Sequence, residues 1–279
     1  MTPGGGAPPR ADGATGAEDD GRGRAPSRVA GRTHVGLDRP ANEDAVAVTA
    51  SAHDGVPRVL AVVCDGIAGG AGGDRAAQAA AEGALAALVA AVGEEGERAL
   101  RRAVAAAHRA VCDAAIAPAP GKDAPGTTLV AAVAHRTALD VAWVGDSRAY
   151  LVPPAGPAAQ LTRDHSWVTR VVDAGELTEE EARASRWAQV ITRCVGPAED
   201  PDPLGPPEPS LAAVQAVPGS IVVLCTDGLW AALPGTDALG AAVRAAPSPG
   251  DADAVAGWLM DRALAAGTPD DVTVAVIVI

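Results

Sequence analysis

The sequence predicts an α+β fold in which antiparallel sheets are covered by helices. Apolar runs rich in β-branched residues come in adjacent pairs and are followed by paired helix-like stretches, unlike the strand–helix alternation of a parallel α/β sheet. With 279 residues, 48% of them hydrophobic, the chain can enclose one sizeable core. Aromatic residues make up only 2% and Phe is absent, so Val, Leu, Ile and Ala must build most of that core.

Strands are predicted where apolar, β-branched residues follow one another in short runs. These runs are Ala45–Thr49, Val59–Cys64, Thr128–Val133, Asp140–Val144, Ile221–Cys225 and Val272–Ile279. Helices are predicted where apolar residues recur every three or four positions. These stretches are Asp74–Val92, Glu95–Ala117, Trp167–Ala174, Glu179–Ala184, Asp237–Ala245 and Asp251–Ala266. Thr178 and Glu181 have the spacing of a capping box.

The start of the chain differs in composition from the rest. Residues 1–28 are rich in Gly, Pro, Asp and Arg and nearly lack large apolar side chains, which predicts a disordered tail before one domain over residues 29–279. Neither a secretory signal pattern nor a bilayer-length apolar run is visible, so we expect a cytoplasmic protein. The Pro-rich stretch Pro197–Pro209 is expected to be a surface loop.

Charge and cysteine content disfavour several classes of function. A net charge of −13 argues against binding to nucleic acid or to anionic lipid, and its simplest interpretation is solubility. The four cysteines form no C-x-x-C pair, which disfavours a zinc or redox motif and fits a reducing cytosol. Cys64 and Cys225 fall in strand-like runs and are predicted to be small core residues.

Carboxylates stand at the ends of several predicted strands. The positions are Glu43, Asp44, Asp65, Asp146, Asp227, Asp270 and Asp271. Taken singly, an aspartate at a strand end is ordinarily a turn residue. Taken together, these residues could meet at one edge of stacked sheets, where they would repel one another unless cations neutralised them. Carboxylates without His or Cys ligands select hard ions such as Mg²⁺ or Mn²⁺.

Eight short segments follow one another in a characteristic order. They are GLDRPANED (36–44), VCDG (63–66), GTTLV (126–130), VGDSRAY (144–150), LTRDHS (161–166), ITR (191–193), CTDGLW (225–230) and GTPDDVTV (267–274). In this order, from about residue 31 to residue 279, the chain resembles the metal-dependent serine/threonine protein phosphatases of the type 2C family, in particular its bacterial members. Each segment alone is weak, but the eight together are specific.

The resemblance implies a four-layer α/β/β/α sandwich of two antiparallel sheets flanked by helices. It also implies a site for two Mn²⁺ or Mg²⁺ ions, with a third, weaker ion in bacterial relatives. Asp65 would bridge the two ions, and the carbonyl of Gly66 would bind one of them. The other implied ligands are Asp44 through bound water with Glu43 nearby, Asp227 and Asp270 at the second ion, and Asp146 at the third.

The implied reaction is hydrolysis of phosphoserine or phosphothreonine in proteins without a covalent intermediate. Two cations lower the pKa of a shared water, which can then attack phosphorus in line. Arg39 matches the phosphate-binding arginine of the family, and its planar fork suits two phosphate oxygens. The implied partners are phosphorylated proteins and a serine/threonine kinase, with no nucleic acid or membrane, and we expect a monomer.

Three positions depart from the family pattern. Ala68 replaces a glycine, which leaves the path of its loop open. Ile67 has no proton to give to a leaving group. Asp271 stands where Asn is usual, and is expected to add negative charge beside the second ion. The segment Asp164–Pro209 is expected to form a flap beside the site, with His165 positioning a loop.

Two other functions remain open on the sequence alone. One is a non-catalytic binding or regulatory module that keeps the fold, and the altered glycine loop is the only hint of it. The other is hydrolysis of a small phosphorylated metabolite or regulator. Turnover of p-nitrophenyl phosphate with Mn²⁺ would separate an enzyme from a binding module, and a comparison of peptide and metabolite substrates would separate the two enzymes.

Overall fold

The computed structural model describes residues 27–67, 72–114, 116, 124–197 and 206–279. Most of the predicted tail therefore lies outside the described residues, as do Ala68 and most of the predicted Pro-rich loop. Ser27 and Arg28, placed in the tail by sequence, already join the fold. The Ser27 carbonyl accepts a hydrogen bond from the backbone of Ala252, and the Arg28 carbonyl accepts one from Val278.

Strands and helices alternate irregularly along the described residues. The strands are β1 (Val29–His34), β2 (Asp44–His53), β3 (Val56–Ile67), β4 (Gly126–Thr127), β5 (Leu129–His135), β6 (Ala138–Val144), β7 (Arg148–Val152), β8 (Ala159–Gln160), β9 (Ser210–Gln215), β10 (Ile221–Cys225) and β11 (Val272–Val278). The helices are α1 (Gly73–Ala90), α2 (Gly96–Asp113), α3 (Trp167–Asp173), α4 (Glu179–Arg183), α5 (Asp227–Ala232), α6 (Thr236–Arg244) and α7 (Ala252–Ala265). The six predicted strands and six predicted helices are confirmed. Strands β1, β4, β7, β8 and β9 and helix α5 were not predicted.

The strands form two sheets in which every pairing is antiparallel. The first sheet has the order β1-β11-β10-β7-β8. The second has the order β2-β3-β5-β6-β9, and β4 adds a sixth strand by pairing with β3. The antiparallel arrangement predicted from the sequence is therefore confirmed.

Strand β3 shows why the central strands are apolar without interruption. Its residues Val59, Ala61 and Val63 pack into the layer between the two sheets. The alternate residues, Val62 and Cys64 among them, face the helices α1 and α2. A strand buried on both faces needs apolar side chains at every position. Cys225 of β10 is buried in the same way under the helices of the first sheet, and all four cysteines are free, as predicted.

Helical layers cover the outer face of each sheet. Helices α1 and α2 pack on the second sheet, and a Cβ atom added at Gly83 of α1 would lie 2.9 Å from Ala110 Cβ of α2, so the two helices cross closely. Helix α7 packs on the first sheet through side chains such as Leu259. The order of layers is helix, sheet, sheet, helix, which confirms the predicted four-layer sandwich.

Helices α3 and α4 form a small unit of their own outside the two sheets. Val168, Val171 and Ala182 are buried against each other in this unit. The predicted capping box is present: Thr178 Oγ1 accepts from the Glu181 backbone N–H, and the Glu181 carboxylate accepts from the Thr178 backbone N–H. We call residues 164–197 the flap. None of the helices in the described part of the chain has the length and apolar content needed to cross a bilayer.

Candidate metal centre

Asp44 and Asp65 face each other where β2 and β3 pair, at one end of the second sheet. The backbone of Asp65 is held by the neighbouring strands. Its carbonyl accepts from Thr128 N–H at 2.9 Å and from Thr127 Oγ1 at 2.8 Å, and its own N–H donates to Thr128 Oγ1 at 3.0 Å. The local fold therefore fixes the position from which the Asp65 carboxylate extends.

Gly66 follows Asp65 at a point where no side chain can be accommodated. Its backbone N–H donates to the carbonyl of Glu43 at 3.1 Å. A Cβ atom on Gly66 would lie 2.5 Å from that carbonyl oxygen and would also overlap the backbone of Gly73. The sequence signal for this glycine is therefore explained by the close approach of two chain segments beside Asp65.

Asp227 comes from the other sheet, where β10 passes into helix α5. Thr226, the residue before it, donates through Oγ1 to Asp44 Oδ2 at 2.8 Å. The backbone N–H of Thr226 also donates to the carbonyl of Thr273 in β11. Thr226 thus joins the two sheets at the edge where the carboxylates lie. Sequence reasoning missed this residue, although it lies inside the CTDGLW segment.

Asp270 precedes β11 and contacts the predicted phosphate-binding arginine. Arg39 Nη2 lies 2.8 Å from Asp270 Oδ2 and 2.6 Å from Oδ1, while Nη1 lies 4.0 Å from the Glu43 carboxylate. Arg39 is 42% exposed, so its guanidinium stays accessible from solvent. The structure therefore brings Arg39 and Asp270 together at the mouth of the site.

Asp271, which follows Asp270, is bound to the loop 36–43. Both of its carboxylate oxygens accept backbone N–H groups, from Gly36 and from Glu43. These hydrogen bonds stabilise the carboxylate but leave its negative charge in place. That this charge lies beside a second metal ion stays a prediction.

Asp146 lies in the turn after β6 and is held through its backbone. Its carbonyl accepts from Trp230 Nε1 at 3.1 Å. The guanidinium of Arg148 lies 3.8 Å above the Trp230 ring and forms a two-point ion pair with Asp164. This chain of contacts connects the flap to the turn that carries Asp146.

His165 positions the same turn, in agreement with the sequence analysis. Its Nδ1 accepts the backbone N–H of Gly145 at 3.1 Å, and its Nε2 lies 2.9 Å from Ser210 Oγ. The ring stacks on Trp143 with a centroid distance of 6.1 Å. Burial and the nearby Arg193 lower the pKa of His165 to about 4, so the imidazole is neutral at pH 7.

These parts surround one cleft with a volume of about 380 Å³. Five of the predicted site residues line it, namely Arg39, Asp65, Asp146, Asp227 and Asp270. Asp44, Glu43 and Gly66 lie directly behind this lining, as their contacts with Asp65 and Thr226 show. Sequence reasoning missed other lining residues, including Thr128, Gln189 and Ile191, of which the last two come from the flap.

Four aspartates in and directly behind this cleft have raised pKa values. Burial, followed by repulsion from the neighbouring aspartates, raises the pKa of Asp227 to about 8. Burial raises the pKa of Asp44 to about 7 and that of Asp146 to about 6. The pKa of Asp65 is also raised well above its ordinary value by burial and by four other aspartates. So many carboxylates in one place favour the binding of protons or cations.

The donor set fits a hard divalent ion in its chemistry, since every candidate side-chain ligand is a carboxylate. Among the described residues, however, no three His, Cys, Asp or Glu side chains converge closely enough to hold an ion by themselves. An ion in this cleft would therefore take part of its coordination shell from water. Mg²⁺ in particular is usually bound by one or two carboxylates and several waters.

Comparison with known proteins places this site in a family. The model of the protein phosphatase 2C family matches residues 30–264. The chain therefore belongs to the protein phosphatase 2C family. This agrees with the resemblance based on the eight segments, and the matched range covers all the candidate site residues except Asp270 and Asp271.

Particular relatives share both sequence and fold. The serine/threonine protein phosphatase PstP of Mycobacterium tuberculosis is 34% identical over 249 residues, which cover 89% of this chain but 44% of PstP. The chain thus spans less than half the length of this relative. A crystal structure of the PstP catalytic domain with two manganese ions matches with a TM-score of 0.67 and 31% identity, over 90% of this chain and 97% of that domain. The Streptococcus agalactiae serine/threonine phosphatase matches with a TM-score of 0.71 and 26% identity, over 90% and 98%.

Proposed function

We propose that the chain hydrolyses phosphoserine and phosphothreonine in proteins, using a water activated by two divalent metal ions and no covalent intermediate. The observation that carries this proposal is the cleft itself. Four aspartates from both sheets line it, and an arginine stands at its mouth. Burial and repulsion between carboxylates raise the pKa values of Asp65, Asp146 and Asp227. Membership of the protein phosphatase 2C family supports the same reaction.

The proposed cofactor is a pair of Mn²⁺ or Mg²⁺ ions. Asp65 would help to hold both ions, and the Gly66 carbonyl would help to hold one of them. Asp227 and Asp270 would hold the second ion, Glu43 and Asp44 would act mainly through water, and Asp146 would hold a third, weaker ion. The two manganese ions of the PstP catalytic domain support this assignment, as does the all-oxygen donor set of the cleft.

The residues of the chain have distinct parts in the proposed reaction. When bound, the two ions lower the pKa of water and stabilise the charge that develops on the phosphoryl group. The Arg39 fork can bind two phosphate oxygens and so fix the orientation of the phosphate at the cleft mouth. Ile67 lines the cleft and has no proton to donate to the leaving oxygen.

The lining of the cleft argues against a covalent intermediate on a threonine hydroxyl. Its hydroxyl groups come from Thr128 and Thr268. Thr128 Oγ1 is occupied by the Asp65 N–H and by Ser147 Oγ, and Thr268 Oγ1 donates to the carbonyl of Gly228. Neither threonine contacts a general base that would make it a nucleophile.

Turnover of p-nitrophenyl phosphate with Mn²⁺ tests the proposal. Asp65→Asn and Asp227→Asn should each lower kcat by about 10²–10³-fold, because each removes charge that stabilises the transition state. Asp261→Asn, on the exposed side of α7, is the matched control and should leave kcat unchanged. A wild-type chain with no turnover would favour the non-catalytic module, and faster turnover of small phosphorylated metabolites than of phosphothreonine peptides would favour the metabolite phosphatase.

We further propose the wider assignments that accompany this activity. The substrates would be phosphorylated proteins, the opposing enzyme a serine/threonine kinase, and the protein a cytoplasmic monomer. The sequence places the start of the phosphatase domain at residue 29, and the contacts of Ser27 and Arg28 extend the proposed domain to residues 27–279, with the preceding residues as a tail. Deleting residues 1–26 should leave kcat and KM for p-nitrophenyl phosphate unchanged, and light scattering and cell fractionation would test the oligomeric state and location.

A further inference from the structure

The loop 36–43 is tied at both ends to a single carboxylate. Gly36 donates its backbone N–H to Asp271 Oδ1 at 2.9 Å, and Glu43 donates its backbone N–H to Oδ2 at 2.8 Å. Asp271 is only 3% exposed, so water competes little for these bonds. Hydrogen bonds to an ionised carboxylate are also stronger than those between neutral groups.

The same loop lies along the segment that precedes β11. The backbone N–H groups of residues 37–38 donate to the carbonyls of residues 268–269 at 3.3 and 3.1 Å. Gly36 is so close to the backbone of Asp270 that a Cβ atom there would overlap it. The loop therefore has a defined path, and Arg39 lies in its middle with its guanidinium on Asp270.

We propose that Asp271 is a positioning residue that closes the loop 36–43 and thereby holds Arg39 at the mouth of the cleft. This role rests on the proposed function in so far as Arg39 binds the phosphate of the substrate. Asp271 itself touches neither the phosphate nor a metal ion. Its role is instead to order the backbone on both sides of Arg39 before substrate arrives, which lowers the entropic cost of binding.

The role requires a carboxylate at position 271. A carboxylate offers two acceptor oxygens, and each one is used by a different end of the loop. An asparagine in the same orientation would accept from one end of the loop through its oxygen and would present its NH₂ group, a donor, to the N–H at the other end. This difference gives a reason for Asp271 in this chain, where the family pattern has asparagine.

Kinetics of Asp271→Asn with p-nitrophenyl phosphate and Mn²⁺ test the effect on Arg39. We expect KM to rise about 5–20-fold while kcat stays within about twofold, since the lost hydrogen bond holds the loop of Arg39 and Asp271 does not itself line the cleft. In an Arg39→Ala background, Asp271→Asn should raise KM no further. Asp38→Asn removes the same charge from an exposed position of the same loop and should leave both constants unchanged. Equal effects of Asp271→Asn with and without Arg39 would overturn the proposal.

Hydrogen exchange gives a second readout that does not depend on turnover. The amides of Gly36 and Glu43 should be protected in the wild-type chain, and at least one should exchange more than about tenfold faster in Asp271→Asn, while amides of β3 keep their rates. Unprotected Gly36 and Glu43 amides in the wild type, or unchanged exchange rates in the variant, would refute the proposed role of Asp271. If the wild type shows no turnover, the proposed function fails, and binding of inorganic phosphate by calorimetry still shows whether Asp271→Asn weakens the Arg39 site.

Discussion

Two arginine–aspartate pairs lie at the mouth of the cleft and at the base of the flap. Arg39 Nη2 lies 2.8 and 2.6 Å from the carboxylate oxygens of Asp270. Arg148 donates from Nε and Nη2 to Asp164 at 2.9 and 2.7 Å. The side chains of the first pair are 42% and 32% exposed, whereas those of the second are 10% and 13% exposed.

Their surroundings give the two pairs different roles. Arg148 also stacks on Trp230 and donates to the hydroxyl of Tyr150, so all of its polar and planar surface is used inside the protein. Arg39 faces solvent, so its guanidinium is accessible to the phosphate that the proposed function assigns to it. The buried pair, bound through two nitrogens, therefore belongs to the framework, and the exposed pair, bound through one nitrogen, leaves its arginine available for a ligand.

The strongest way to test this comparison is to remove the buried arginine. Arg148→Met should lower the free energy of unfolding by about 3–5 kcal/mol, because it leaves the Asp164 carboxylate buried without a partner. Urea denaturation of the variant measures this loss. The double variant Arg148→Met/Asp164→Leu should recover much of it, and a single variant that loses less than about 1 kcal/mol would contradict the framework role.

Removing the exposed arginine should change stability little but should raise KM. Arg39→Ala should change the free energy of unfolding by less than about 1 kcal/mol, as is usual for exposed ion pairs. It should raise KM for p-nitrophenyl phosphate about tenfold or more, because the two-point contact to phosphate is lost. Arg39→Lys should not restore KM, since an ammonium group cannot copy the fork. Full rescue by lysine would show that only the charge matters.

The raised pKa of a cleft carboxylate predicts that the stability of the metal-free chain depends on pH. Burial and neighbouring carboxylates raise the pKa of Asp227 to about 8, above the unfolded value of about 4. The folded state then binds more protons than the unfolded state, so this stabilising contribution is complete below about pH 4 and is lost as the pH rises through about 8. In the metal-free chain, the wild type should therefore lose stability relative to Asp227→Asn as the pH rises from about 5 to about 8.

Urea denaturation with a chelator at both pH values measures this shift. Saturating Mn²⁺ should abolish it, because cations replace protons as the partners of the carboxylates. A stability difference that does not depend on pH would show that the Asp227 carboxylate is not crowded by like charges.

The smallest expected effect concerns the flap alone. Thr178→Ala removes the capping box of α4 and should cost about 1 kcal/mol in flap stability. Limited proteolysis of residues 174–190 should become faster, while kcat and KM for p-nitrophenyl phosphate should change less than twofold. A large loss of kcat would mean that the flap, and not only the sheet edge, holds the reacting groups in place.

Much of the fold follows from local pattern, and the exceptions have physical reasons. Strands such as β3 are apolar on both faces, so their sequence differs clearly from that of a surface segment. Strand β1 contains Gly31 and a polar second half, and β9 lies at the edge of its sheet, so neither shows a continuous apolar run. Helix α5 has only six residues and begins at an Asp-Gly pair, which by sequence indicates a turn.

The residues of the candidate site also fall into two groups, those that the sequence pattern indicates and those that it does not. Aspartates at strand ends could be recognised because their type and position suggest a ligand. The residues that position them could not, because their contacts join distant parts of the chain. Thr226 and Asp44 are 182 residues apart, and Asp271 and Gly36 are 235 residues apart. Only the folded structure shows that Asp271 accepts backbone N–H groups.

Calorimetric titration of Mn²⁺ into the metal-free chain tests the central claim most directly. The account predicts about two strongly bound ions per chain, with release of protons at pH 7 because the carboxyl groups must ionise to bind them. Asp65→Asn should abolish at least one of these binding events and reduce the proton release. An absence of Mn²⁺ binding, or binding that neither Asp65→Asn nor Asp227→Asn alters, would contradict the account.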